Sequence, residues 1–360
     1  MGWQEEETVN PTIGLIGCGS IASQHAPGLE AAGACVKWAC DLLPANARKM
    51  AERFGAEPTD DYRRILDDPA VDTVDVMTVS STHREICLAA IEAGKAVICE
   101  KTLAENAEDA LEIVKAAEAR GTVFYTAYMK RFLPSVRKAK ELLPELGQIM
   151  STHIRVHQPW GDAFARDMKP GEQKKKPAEP SAIVRRYGGG VLVCGGSHIL
   201  DLLCLFIGRP NHVFASMTEP STRDHDVQAA ALFYTDNGPC LFEALASPLK
   251  GVGYLKDGWD ERIELNGVNG RLDVFSPHWN QGAEKASRLV HYDNTTKEEQ
   301  VYDFDPVSAF VPELEFFLGQ IAKGEQGEQS RRTGYDVDEL IAHIERSAAE
   351  QHSVEINWKM

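Results

Sequence analysis

The chain predicts an α/β protein: a parallel, doubly wound N-terminal domain, then an α+β domain with an open, mostly antiparallel sheet. Three observations predict it. Thr12 to Ala32, TIGLIGCGSIASQHAPGLEAA, joins a short apolar run to a glycine-rich turn and then to residues that suit a helix. As far as about residue 125, apolar strand patterns alternate with helix patterns. From about Gln148, strand-like runs follow one another with turns but few helices between them. A length of 360 residues also exceeds one ordinary domain. The expected division is 1–128 and 129–360, with the closing helix 334–349 packing back on the first domain.

The first strand is Ile13-Gly14-Leu15-Ile16, and Gly17-Cys18-Gly19-Ser20-Ile21-Ala22 follows it as G-x-G-x-x-A. In that turn Gly17 allows the tight bend, Gly19 lets the backbone approach a phosphate, and Ala22 lets the helix pack close to the strand. The free N–H groups and dipole of the new helix then face a pyrophosphate. The second strand, Val36 to Cys40, ends in Asp41, 22 residues past Gly19. That matches the ~20-residue offset of the acid that grips an adenosine ribose, so the N-terminal domain reads as a Rossmann domain. Asp41 favours NAD, because a carboxylate accepts from both ribose hydroxyls and repels a 2′-phosphate. No Arg or Lys immediately follows it, although Arg48 further on leaves room for NADP.

Helices are expected over Pro44–Phe54 and Tyr62–Leu66, and a strand over Thr73–Val79. Thr82 is expected to cap a helix that runs to Ala93 and stops at Gly94. A strand at Ala96–Glu100, a helix at Asn106–Arg120 and a strand at Val123–Ala127 complete the domain. Ligands of such sheets lie beyond the carboxyl ends of the strands. One rim should therefore gather the glycine turn, Asp41, Ser80 to His83 and Glu100-Lys101-Thr102.

In the second domain Ile149–Gln158 is a long strand, in which Arg155 and His157 share a face, and Trp160 lies just beyond its end. The polar stretch Asp162 to Ser181 reads as an exposed insertion or lid, and also suits a solvated loop with no role. An apolar helix is expected at Val191–Phe206, introduced by Gly188-Gly189-Gly190. Strands are expected at 212–217, 229–234, 241–246, 262–265, 271–275 and 288–292, and final helices at 310–323 and 334–349.

Composition narrows the function classes. A formal charge of −16 argues against nucleic acid or an anionic membrane as partner. No apolar run approaches the ~18 residues of a membrane span. The acidic start MGWQEEETVN has neither a secretory nor a transit pattern. Eight cysteines without a C-x-x-C pair imply free thiols in a reducing cytoplasm, and no metal site is expected.

Two constellations carry chemistry. Lys101, at a strand's carboxyl end on the cofactor rim, can donate to a substrate hydroxyl or carbonyl. Taken alone, a Lys in that place also suits a plain surface residue. Cys194, His198 and Asp201 stand at i, i+4 and i+7, which places them on one helix face. A His there can exchange a proton with an alcohol near neutral pH, and an isolated His also suits a core position.

Taken together, the motifs resemble the Gfo/Idh/MocA oxidoreductases. The resemblance runs through GLIGCGSIA, the Asp41 strand end, VSSTHREICLAAIEAGKAVICEKTLAENAEDA, Tyr128 with Arg131-Phe132, GQI at 147–149, and GGGVLVCGGSHILDLL. It implies hydride transfer between a sugar or polyol carbon and nicotinamide C4. In that family the Lys of E-K-P and the His of D-x-G-x-H-x-x-D help move the hydroxyl proton. Carried over, these are Lys101 and His198, with Asp201 closing the second motif. Thr102 stands where Pro is usual, and Cys194 stands where the motif has Asp. A thiol, with an unperturbed pKa of about 8.5, supports an imidazolium less well than a carboxylate does, so the proton relay is altered.

The resemblance also implies substrate contacts from Tyr128, Arg131, Arg155, His157, Trp160, Cys194 and Asp201. It implies a homodimer or homotetramer, for which the open C-terminal sheet is the expected surface. Two rival readings remain open. One is a redox-assisted glycosidase that oxidises its sugar transiently. The other is a regulator that binds cofactor and sugar without turnover.

Overall fold

A computed structural model describes residues 10–160, 188–219 and 224–359. The acidic lead-in before Asn10 and the expected insertion at 162–181 lie outside the described residues. The described residues group into two compact units, those up to Ala127 with Phe310–Tyr335, and those from Tyr128 to Ala309 with those from Asp336 onward.

The first unit holds a parallel sheet of six strands in the order β3-β2-β1-β4-β5-β6. These are β1 (Thr12–Ile16), β2 (Cys35–Cys40), β3 (Glu57–Thr59), β4 (Thr73–Val76), β5 (Ala96–Glu100) and β6 (Phe124–Ala127). Its helices are α1 (Ala22–Ala31), α2 (Pro44–Phe54), α3 (Arg63–Leu66), α4 (Ser80–Glu92) and α5 (Ala107–Arg120). Ile13, Leu15, Val74, Val76, Val97 and Ile98 are fully buried, as expected of strands covered on both faces. The strand order reverses between β1 and β4, which opens a crevice at their carboxyl ends. Two helix starts follow side-chain and backbone chemistry. Asn106 caps α5 by accepting from the Asp109 N–H at 2.9 Å, and Pro44 opens α2.

Three details differ from the sequence reading. β3 adds a three-residue strand that carries no periodic signal. β4 ends at Val76, and α4 begins at Ser80. Thr82 therefore lies inside the first turn and does not cap it; its hydroxyl donates to Val79 O and Thr78 Oγ1, each at 2.8 Å.

The chain returns to this unit at α8 (Phe310–Ile321), which packs along α1 and stacks Phe317 on Tyr125 with ring centroids 4.3 Å apart. The returning segment is thus 310–335, while the closing helix from Asp336 onward belongs to the second unit. After α8 the chain straps the free edge of β6. Gln326 accepts from Phe124 N–H at 3.0 Å and donates to Phe124 O at 2.7 Å, so one side-chain amide replaces a neighbouring strand. Gln329 donates to Thr126 O at 2.8 Å. An edge covered in this way offers no template for pairing with another chain.

The second unit holds nine strands in the order β14-β13-β12-β11-β7-β10-β9-β8-β15. They are β7 (Ile149–Gln158), β8 (His212–Thr218), β9 (Gln228–Thr235), β10 (Gly238–Ala246), β11 (Asp260–Gly267), β12 (Gly270–Phe275), β13 (Arg288–Asp293), β14 (Glu298–Asp303) and β15 (Val354–Glu355). Only β7 and β10 pair in parallel; the other neighbours are antiparallel. One face is buried through Ile154, Val156, Phe242, Ala244, Ile263 and Leu265. α6 (Pro134–Leu142), a helix absent from the sequence reading, packs on β12 and β13. α7 (Ser197–Ile207) packs on β7, and α9 (Thr333–Glu350) joins the second unit from Asp336. Ser347 fixes α9 to β8 by accepting from Ala215 N–H at 2.9 Å.

Gln326→Ala should lower the unfolding free energy by about 1–3 kcal/mol, the cost of leaving both Phe124 backbone groups unmet. A urea melt of the variant against the parent checks this.

Candidate active site

In the first unit, β1 ends at a turn that only glycine can make. Gly17 has φ +96°, and a Cβ there would lie 2.7 Å from the Met77 carbonyl. At Gly19 no protein atom lies within 4 Å of where a Cβ would stand. Packing therefore does not call for glycine at that position, whereas close approach by a ligand's phosphates does. Ser20 is exposed, and α1 begins at Ala22 after Ile21 with no side-chain cap and no acid in its first turn. Its leading N–H groups are thus left for an anion.

Asp41 stands at the end of β2 with its carboxylate held in place. Oδ2 accepts from Cys18 N–H at 2.8 Å and from Asn46 at 3.3 Å, and Oδ1 accepts from Leu43 N–H at 2.8 Å. The Cys18 backbone therefore serves Asp41, and its buried thiol, pushed up to about 12 by burial, faces Cys40 O. Leu42 and Leu43 are 86% and 63% exposed beside the acid and present apolar surface of the kind an adenine ring covers. These residues fit a dinucleotide.

Ser80 opens α4 on the same rim. His83 lies behind it: the ring is fully buried, with Nδ1 3.0 Å from Thr102 O and Nε2 3.1 Å from Thr78 O. Burial holds its pKa below the usual imidazole range, and the neutral ring, with a single N–H, donates to one of these two carbonyls. Glu100 is also turned inward. Its Oε2 accepts from Lys101 N–H at 3.0 Å, and its Oε1 lies 3.0 Å from His25 Nε2. Lys101 itself is half-buried at the end of β5, and its peptide bond to Thr102 is cis. The sequence reading missed His25 and Asp75, the latter 2.9 Å from His25 Nδ1. An acid inside the apolar run of β4 was the available signal.

In the second unit, Leu192–Gly196 form a π-helical turn that runs into α7. Asp226 holds its start by accepting from Leu192 N–H at 2.8 Å. The i, i+4, i+7 spacing assumed regular α geometry, and the wider turn rotates Cys194 relative to His198 and Asp201. His198 is nearly buried, and its ring meets Tyr128 edge-on with centroids 5.8 Å apart. Asp201, fully buried, receives Arg131 bidentately at 2.6–2.9 Å. Burial pushes the Asp201 carboxyl up from the usual aspartate range, against the pull of Arg131. Asp201 thus orders Arg131 and is not left open to a substrate hydroxyl.

Arg155 and His157 do share a face of β7, but it is the open face of the sheet. There Arg155 pairs with Asp260 and His157 with Glu243, both at 2.8 Å. The opposite face presents Gln158, buried, whose Oε1 has no partner and whose amide sits where a Cβ on Gly195 would fall, 2.4 Å away. Trp160 packs against Val227 and Ala246.

The family model for the oxidoreductase family with an NAD-binding Rossmann fold matches residues 12–128. The GFO/IDH/MocA C-terminal domain matches 136–273. The chain belongs to the Gfo/Idh/MocA family. It is 35% identical to a levoglucosan dehydrogenase of Pseudarthrobacter phenanthrenivorans over 228 residues, 58% of this chain and 54% of that one. It is 25% identical to a myo-inositol 2-dehydrogenase of Thermotoga maritima over 96% of this chain and 98% of that one. Its fold matches a solved levoglucosan dehydrogenase in complex with NADH and levoglucosan at a TM-score of 0.80, with 23% identity over 97% of this chain and 100% of that one.

Within this family the chain is an NAD-binding oxidoreductase, as its motifs led one to expect. Asp41→Ala should weaken NADH binding about tenfold or more, since hydrogen bonds to a charged group contribute about 1.5–3 kcal/mol. NADPH binding should hold or improve. Fluorescence titration with the two nucleotides checks both.

Proposed function

We propose that the chain oxidises a hydroxyl of a sugar, polyol or glycoside with NAD, using Lys101 and His198 on the reacting oxygen. The observation that carries this reading is the rim of the first unit, where the glycine turn after β1 and Lys101 after β5 stand two strands apart. At ~4.8 Å per strand that is about 10 Å, within the reach of a dinucleotide and its substrate. Bound NAD supplies the hydride acceptor.

Lys101 donates a hydrogen bond to the reacting oxygen and stabilises it as its proton leaves. His198 takes that proton as general base, or returns it in the reverse direction. Tyr128 limits the rotation of the His198 ring. Asp201 holds the Arg131 guanidinium, whose remaining N–H groups suit substrate hydroxyls. Cys194 stands where the family motif places a carboxylate, so Lys101 carries a larger share of the acid–base work.

The first unit is the cofactor half in this reading, and the second is the substrate half. Two further points belong to it. The eight free thiols suit a reducing cytoplasm. Phe214, Leu232 and Leu241 form an apolar row across β8, β9 and β10 on the open face, which suits a second copy of the chain. Among the described residues no helix is long and apolar enough to cross a membrane.

Purified protein would be assayed for bound nicotinamide and followed at ~340 nm against sugars, polyols and glycosides. Net NADH formation is expected. Glycoside cleavage without net NADH would favour the redox glycosidase, and cofactor binding without turnover would favour the regulator. Lys101→Ala should lower kcat by about 10²–10⁴-fold with NAD affinity unchanged; an unaltered kcat would remove Lys101 from this role. Leu241→Asp should shift the oligomer towards monomer in light scattering after size exclusion, because a charge would face the partner's apolar row.

A further inference from the structure

His25, Asp75 and Glu100 form a buried chain of charged groups that the proposed reaction does not use. Asp75 on β4 lies 2.9 Å from His25 Nδ1, and Glu100 at the end of β5 lies 3.0 Å from His25 Nε2. His25 and Asp75 are fully buried, and Glu100 nearly so. Burial alone would lower the imidazole's pKa, yet Asp75 and Glu100 together hold it well above its usual range. The ring therefore carries a proton on both nitrogens and donates to both acids. Asp75 Oδ1 is buried with no partner, so the arrangement does not simply satisfy every polar group. An apolar replacement of similar volume commonly stabilises a core more than such a cluster does. Its placement supplies another reason for it: His25 is on the helix that begins at the glycine turn, and Glu100 immediately precedes Lys101.

We infer that His25 and Asp75 are positioning residues for Lys101, acting through Glu100. The inference rests on the reading of Lys101 as the group that meets substrate. With Oε1 held by His25, the Glu100 carboxylate presents Oε2 to the Lys101 N–H at 3.0 Å. That bond fixes the backbone from which a long, flexible side chain must reach the reacting oxygen. Asp75 in turn holds the opposite ring nitrogen, so Glu100 cannot turn without breaking the chain. A catalytic group displaced by about 1 Å loses up to about a hundredfold in rate.

The test compares Glu100→Ala, Glu100→Gln and the neutral triple variant His25→Leu/Asp75→Asn/Glu100→Gln. A glutamine can still accept from Lys101 N–H while donating to a neutral His25, so Glu100→Gln should behave like the parent. Glu100→Ala and the triple variant should both change the rate of Lys101 acetylation by acetic anhydride, read by mass spectrometry, about fivefold or more. Where turnover is measurable, their kcat should fall about tenfold or more with NADH affinity within about threefold.

Parent-like Lys101 reactivity in a folded triple variant would overturn the inference. So would a Glu100→Gln protein that loses as much as Glu100→Ala. Hydrogen exchange on the unmodified protein provides a check that requires no variant to fold. The Lys101 amide should be protected together with β5, and rapid exchange there would also overturn the inference. If Lys101 reactivity follows these expectations but no substrate reacts, the dehydrogenase reading fails and the positioning chain stands.

Discussion

The close approach of Gly17 to the backbone of Met77 sets much of what the first unit can do. β1 and β4 are hydrogen-bonded neighbours, and the strand order reverses between them. The chain leaving β1 turns so close to the backbone that follows β4 that a Cβ at Gly17 would lie 2.7 Å from the Met77 carbonyl. That turn aims the start of α1 at the crevice. It also places the Cys18 N–H where it orients Asp41, 2.8 Å away. The phosphate-facing and ribose-facing parts of the site are therefore set by one turn.

Polar and charged groups buried beneath the rim are the second organising feature. The neutral His83 ring lies between the loop after β4 and the loop after β5, within reach of a carbonyl of each and donating to one. His25 joins α1 to β4 and to the end of β5. In the second unit Arg131 and Asp201 do the same for the turn after Tyr128 and for α7, and Lys130 pairs with Glu261 while its ammonium lies 5.4 Å from the Trp259 ring. Breaking one side of such a pair leaves a buried charge and typically costs about 3–5 kcal/mol. These pairs tie together neighbouring loops whose relative position chemistry would depend on.

Local signals revealed most of the first unit. Apolar strands bounded by Gly94 and Gly121, the G-x-G-x-x-A turn and the acid after β2 each carry their own local physics. Shorter elements escaped, because Glu57–Thr59 is too short to show a period and α6 follows directly on a 3-10 turn. The alternation of Arg155 and His157 correctly placed them on one face of β7. Which face it was depended on where the neighbouring helices lie, and the chain puts both residues opposite Gln158.

The glycine spacing, the strand–helix alternation and Asp41 determined by themselves that the chain binds a dinucleotide, because they act through turns and helix ends a few residues long. The motifs around Lys101 and His198 pointed to oxidoreductase chemistry through their resemblance to a known family. Only the tertiary structure decided that Asp201 belongs to Arg131, that Glu100 turns inward to His25, and that the segment after Phe310 closes the first sheet. Those outcomes join residues far apart in the chain, 203 positions in the case of Gln329 and Thr126. Burial and hydrogen-bond satisfaction across the folded core select such pairs, and no local period of the sequence encodes them.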